Sequence, residues 1–133
     1  MDEKILEQIK EIFAARKEVK LAYLFGSRAA GRVGPLSDYD FAVYFDEKTT
    51  RSEMSDLQFD LMGETSDLLK TDEVDVLVLN SLDNPVLKFH TIAYSKLLLE
   101  RDGYKIKIEP IIMSQYFDHK TQLERFGLTR IAS

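Results

Sequence analysis

Two short apolar runs, residues 21–25 and 41–45, bracket a connection that begins Gly26-Ser27 and ends Asp38-Tyr39-Asp40. The whole stretch reads LAYLFGSRAAGRVGPLSDYDFAVYF, with ten residues between Ser27 and Asp38. Each run has the length of a strand and is apolar enough to be buried. The fold must therefore bury two neighbouring strands while keeping a Gly-, Arg- and Pro-rich loop and a carboxylate pair at one end of them. Two aspartates with one residue between them project to the same side of a strand. Like charges held that close cost free energy unless a cation sits between them or one takes up a proton.

The rest of the chain supplies partners for those strands. Ile5, Ile9, Ile12 and Phe13 recur at helical spacing among Glu and Lys, which predicts a helix over 3–18. Strands follow over 20–25 and 39–45. In the second, Tyr39, Phe41, Val43 and Phe45 share one face, and Asp38, Asp40 and Ala42 the other. Met54, Leu57, Leu61 and Leu68 mark a helix over 51–69. EVDVLVL, residues 73–79, reads as a third strand. Asn84-Pro85 is a helix-start signal, and that helix runs to about Tyr94. A short fourth strand over 96–100 leads to a turn at Asp102-Gly103. Residues 110–126 read as a last helix with Ile112, Tyr116, Leu123 and Phe126 on one face, Gly127 as its stop, and 128–133 as a short tail. The order α-β-β-α-β-α-β-α predicts one α/β (α+β) domain over residues 1–133, a small mixed sheet with helices packed against it.

Composition narrows the function classes. The 133 residues carry a formal net charge of −5 at pH 7, so the chain as a whole is not drawn to nucleic acid. It has no cysteine, which excludes disulfides and thiolate metal sites and fits a cytoplasmic protein. No apolar run approaches the roughly 20 residues that span a bilayer.

The chemistry gathers around the loop. Mg²⁺ prefers oxygen ligands, one or two carboxylates plus phosphate oxygens, and Asp38 and Asp40 offer the carboxylates. A third would complete a two-metal site. Asp75 is the candidate, 35 positions after Asp40, because it interrupts an otherwise apolar strand where a carboxylate is expensive unless paired or ligating. Asp72 and Glu73 are close enough in sequence to compete for that role. Asp38 can also close an Asx-type turn after Ser37, and Asp40 can be a solvent-facing strand residue. Backbone N–H groups at Gly26-Ser27, with the Ser27 hydroxyl, can cradle phosphates. Arg28 and Arg32 can neutralise triphosphate charge, or stand solvated on the surface. His90 and His119 lie on predicted helices without a second ligand at i+4, and read as packing or surface residues. No Ser/His/Asp set, HExxH or GxxxxGK[ST] occurs. In the last helix, Ile111, Ile112, Met113, Tyr116 and Phe117 crowd one and a half turns. They either pack on the domain's own sheet or offer a docking surface for a partner.

GSRAAGRVGPLSDYD, with EVDVLVL downstream, resembles the signature of the minimal nucleotidyltransferases of the DNA polymerase β superfamily. Together with the closing segment LLLERDGYKIKIEPIIMSQYFDH, it resembles more narrowly the MNT antitoxins that pair with HEPN ribonuclease toxins. The likeness covers residues 21 to 119. It implies a polymerase-β-like nucleotidyltransferase fold, ATP as donor, Mg²⁺ as cofactor, and transfer of AMP to a tyrosine of the partner toxin, which blocks its RNase activity. On that likeness Gly26 and Ser27 match the phosphate-binding pair, and Asp38, Asp40 and Asp75 match the metal ligands. Many members carry Arg where this chain has Ala30, so Arg28 or Arg32 would take its place. A non-catalytic antitoxin that masks its toxin and a small-molecule nucleotidyltransferase are the alternatives.

Overall fold

The apolar runs form the middle of a four-stranded sheet. The computed structural model describes residues 2–25 and 39–127. Its strands are β1 (Val19–Phe25), β2 (Tyr39–Phe45), β3 (Val74–Val78) and β4 (Lys96–Glu100), and its helices α1 (Glu3–Ala14), α2 (Arg51–Leu69), α3 (Pro85–Ala93) and α4 (Tyr104–Arg125). The strand order is β3-β2-β1-β4. β1 runs antiparallel to both β2 and β4, while β2 and β3 are parallel and joined through α2. The expected mixed sheet with packed helices is what forms.

Alternation along the strands makes two cores. Ala22, Leu24, Phe41, Val43, Phe45, Val74 and Val76 point to one face, where Ile9 and Phe13 of α1 and Leu57 and Leu61 of α2 cover them. The Phe13 and Phe41 rings meet there at 5.3 Å. Leu21, Tyr23 and Ala42 point to the other face and pack with Tyr104, Ile108 and Ile112 of α4. Phe89 and Ile92 of α3 close that layer at its side.

The helix starts follow local chemistry. Thr50 and Glu53 form a reciprocal capping box on α2. Asn84 caps α3 through the amides of Val86 and Leu87, with Pro85 in the first turn as the sequence signals. α1 stops at Ala14, four residues earlier than the sequence suggests. There the Arg101 guanidinium donates to the carbonyls of Ala14, Arg16 and Val19, so the orphan acceptors of the helix end are met by a side chain and the chain can turn into β1. Beyond β3 the Asn80 amide continues the ladder, accepting from the Phe45 N–H at 2.8 Å and donating to the Phe45 carbonyl at 2.9 Å.

α4 departs from the sequence reading. It begins at Tyr104, and Pro110, expected as its first residue, lies inside it. Asp102 and Gly103 both take positive φ, 56° and 71°, and swing the chain straight from β4 into the helix. A proline within a helix removes one N–H and crowds the carbonyl four residues back, here that of Ile106. Both Pro110 and Ile106 face solvent, while Tyr104, Ile108 and Ile112 hold the opposite side of the helix to the sheet. Tertiary packing thus carries the helix through a residue that usually ends one.

Candidate active site

The parity of β2 and β3 decides which acidic residues can act together. Asp40 and Asp75 are register partners on the two parallel strands. Their neighbours Phe41, Val74 and Val76 point into the α1/α2 core, so both carboxylates project to the opposite face, on strands about 4.8 Å apart. Asp40 is half-buried and Asp75 exposed. Asp72 and Glu73 precede β3, and neither is in register with Asp40. Of Asp72, Glu73 and Asp75, only Asp75 is in register with Asp40.

The same row extends to β1, where Phe25 is the partner of Asp40. Phe25 is the last residue of β1. Gly26, Ser27, Arg28, Arg32 and Asp38 themselves lie outside the described residues. Among the described residues no three His, Cys, Asp or Glu side chains gather into a metal cage. The two carboxylates in register are hard oxygen donors on one face, the donor set that suits Mg²⁺ rather than a soft metal.

One row further in, Tyr23 is the partner of Ala42. Its hydroxyl donates to Glu109 of α4 at 2.7 Å, and Lys105 stands 3.3 Å from the same carboxylate. Burial, and then the Glu109 carboxylate, push the Tyr23 phenol well above its usual range, so it stays protonated. This bond fixes α4 over the sheet close to the carboxylate row. The sequence offered only a weak signal of it, Tyr23 in the middle of an apolar strand.

The histidines are placed as expected of packing residues. The His90 ring lies edge-on to Tyr94 at 5.6 Å and near Phe89 and Tyr116, and His119 is half-buried on α4. The apolar cluster of α4 divides. Ile112 is core, and Tyr116 stacks on Phe89 at 4.1 Å, whereas Ile111, Met113 and Phe117 are exposed. Phe126, expected on the packed face, is also exposed. Of the five residues, Ile111, Met113 and Phe117 stay exposed, and Ile106 is exposed on the same helix.

A mixed sheet of this order, with Asp40 and Asp75 in register near one end of it, fits a nucleotidyltransferase domain. The chain belongs to the polymerase beta nucleotidyltransferase family, whose model matches residues 7–104. It is 30% identical over 118 residues to the protein adenylyltransferase MntA of Aphanizomenon flos-aquae (strain 2012/KM1/D3), spanning 85% of this chain and 73% of that protein. A solved complex of tri-AMPylated Shewanella oneidensis HEPN toxin with MNT antitoxin matches at TM-score 0.72 and 18% identity, covering 100% of both chains. A toxin–antitoxin structure with AMP-PNP matches at TM-score 0.73 and 19% identity, again over 100% of both chains. At those identities the two structures share the fold with this chain.

Proposed function

We propose that this chain is the antitoxin of a toxin–antitoxin pair and a protein adenylyltransferase, transferring AMP from ATP to a tyrosine of a HEPN-type ribonuclease toxin. The registration of Asp40 with Asp75 on adjacent strands, next to Phe25 at the end of β1, carries this reading. The naming of its relative as a protein adenylyltransferase supports it.

In this reading the Gly26-Ser27 amides and the Ser27 hydroxyl hold the phosphates of ATP, with Arg28 or Arg32 neutralising their charge. Asp38, Asp40 and Asp75 hold Mg²⁺. When bound, the metal supplies charge neutralisation at the α-phosphate and at the departing pyrophosphate. Asp75 orients the incoming phenol and takes up its proton. The phenolic oxygen forms a bond to the α-phosphorus as the bond between α-phosphorus and the bridging oxygen breaks, and pyrophosphate leaves. Most of the rate enhancement is positioning and charge stabilisation.

The exposed side of α4 is the proposed docking surface for the toxin within a single nucleotidyltransferase domain. A cytoplasmic setting is part of the proposal and suits a chain without cysteine. Among the described residues no helix is long and apolar enough to cross a membrane.

The test uses ATP labelled at different phosphates, Mg²⁺ and the co-expressed toxin. Label in the α-position is expected on the toxin and label in the γ-position is not. Transfer of γ-label would mean kinase chemistry and would sink the reading. Asp40→Asn is expected to bind the toxin yet leave it unmodified and cells unprotected. Full protection by that variant, with the toxin unmodified, would mean neutralisation by masking alone.

A further inference from the structure

Tyr23 is a buried polar residue that the chemistry proposed above does not use. It lies on β1, between Ala42 of β2 and Leu97 of β4. Around it Leu21, Ala42, Ile108 and Ile112 form an apolar layer between the sheet and α4. A phenylalanine ring would fill that space, and a hydroxyl buried there costs free energy unless it is bonded. The Tyr23 hydroxyl donates to Glu109 Oε2 of α4 at 2.7 Å, which offsets that cost. A hydrogen bond to a carboxylate is shorter and stronger than one between neutral groups. Lys105, one turn earlier on α4, stands 3.3 Å from Glu109 Oε1 and steadies the same carboxylate. What the hydroxyl adds to an otherwise apolar layer is a directional tie between a strand and a helix.

The tie lies between two parts of the proposed reaction. On the strand side, Tyr23 and Phe25 alternate onto one face, and Phe25 is the partner of Asp40, itself the partner of Asp75. Tyr23 therefore stands one row behind the carboxylates, about 7 Å along the strand. On the helix side, Glu109 sits between the exposed Ile106 and Met113, each one turn away, with Phe117 a turn further on. A helix moves as a stiff element, so a shift at Glu109 carries those residues with it. A protein held on that side of α4 brings its acceptor hydroxyl to the carboxylates only while helix and strand keep their spacing. A misplacement of about 1 Å, made far from the chemistry, can cost about 100-fold in rate.

We infer that Tyr23 and Glu109 are a positioning pair, whose hydrogen bond sets the docking helix α4 against β1 so that a hydroxyl of a protein bound on α4 reaches Asp40 and Asp75. This role rests on the adenylyltransferase reading above. The pair acts on the rate of transfer, separately from the binding of ATP and of the toxin.

Three single changes test it. Tyr23→Phe keeps the ring and removes the hydroxyl. Glu109→Ala removes the acceptor, whereas Glu109→Gln keeps an oxygen to which the hydroxyl can donate. Transfer of labelled AMP to the toxin is measured across toxin concentrations, beside circular dichroism and the thermal shift given by ATP and Mg²⁺. Tyr23→Phe and Glu109→Ala are each expected to lower kcat by about tenfold or more, with KM for the toxin and the shift with ATP unchanged. The double variant is expected to be no slower than either single one, since both changes remove the same bond. Glu109→Gln is expected to keep most of the kcat. An unchanged kcat in Tyr23→Phe overturns the inference, and so do losses that multiply in the double variant. A raised KM at unchanged kcat overturns it by making the pair part of the binding surface. Loss of the shift with ATP overturns it by making the pair part of the donor site. If Tyr23→Phe does not fold, Glu109→Ala against Glu109→Gln decides, and equal loss in those two means that Glu109 does not act as the acceptor of Tyr23. An unaltered chain that binds the toxin but moves no AMP to it removes the adenylyltransferase reading itself, and the pair's role with it.

Discussion

Asp75 shows how one residue can work against the fold that carries it. Its neighbours Val74 and Val76 are buried in the α1/α2 core, and its own carboxylate sits in register with that of Asp40. Two like charges on adjacent strands repel unless a cation or a proton intervenes. Asp75→Asn is nearly isosteric and removes one of the charges. Without Mg²⁺ it is expected to leave the melting temperature unchanged or higher. The added stability that Mg²⁺ and ATP give the unaltered chain should disappear, and AMP transfer should fall by more than about 100-fold, beyond what partners outside the ligand shell usually cost. Calorimetry with and without ligand, beside a transfer assay, reads both effects. A variant that melts earlier without ligand yet keeps its transfer rate would make Asp75 a structural residue. In the sequence this residue stands out as a charge inside an apolar run. Its pairing was only half legible, because Asp72 and Glu73 are close by. The register of two parallel strands, which depends on the whole β2-α2-β3 crossover, is what separates Asp75 from them.

α2, β2 and β4 fall on the bounds read from the sequence, and α3 starts where its signal places it. α2 begins at its capping box and α3 at Asn84-Pro85, because each helix start is settled by residues within one turn of it. α4 was misjudged because its start is set from afar. Tyr104 packs against the Tyr44 ring at 6.1 Å and Lys107 pairs with Glu47 at 2.7 Å, contacts with the far end of β2 that local propensity cannot show. Those contacts outweigh Pro110. The α2 cap offers a quantitative check. Thr50→Ala removes the side-chain acceptor for the Glu53 amide and is expected to cost about 1 kcal/mol in urea unfolding at neutral pH. Hydrogen bonds from the Thr50 backbone, and then its side chain, hold the Glu53 carboxyl below its ordinary value of 4.5. A carboxyl depressed in the folded state stabilises above its unfolded pKa, and that contribution is lost as pH falls through the lower folded value. The backbone bond survives in Thr50→Ala, so only the part of the loss that runs through the Thr50 side chain should shrink below about pH 4.5. A loss that stays constant down to about pH 3 would show that the side chain acts through the Glu53 amide alone.

At the scale of the whole molecule, the length of α4 sets what it can reach. With 22 residues it is about 33 Å long, whereas the longest strands have seven residues and span about 23 Å. Its first turn sits by Tyr44 and Glu47, Glu109 meets Tyr23 midway, and Tyr116 reaches Phe89. The last turns therefore run past the end of the sheet at which Asp40 and Asp75 stand. Ile106, Pro110, Met113 and Phe117 follow one another at helical spacing on the side away from the buried Ile108 and Ile112. Ile106 is 80% exposed, Met113 43% and Phe117 51%. Such an apolar stripe on a charged, net-negative chain is what the docking role proposed for α4 needs. Replacing Ile106, Met113 and Phe117 together with Ser removes apolar surface that is mostly exposed at Ile106 and about half exposed at the other two. The circular dichroism spectrum and the ATP-dependent thermal shift are expected to persist, while affinity for the toxin drops by at least about tenfold, roughly one lost contact's worth or more. Ile112→Asp is the contrasting change. It places an unpaired charge in the core between α4 and β1 and should unfold the chain. If the triple variant binds toxin as tightly as the unaltered chain in calorimetric titration, α4 is not the docking helix. Loss of fold in the triple variant would instead make the stripe part of the domain's own packing and defeat the assignment equally.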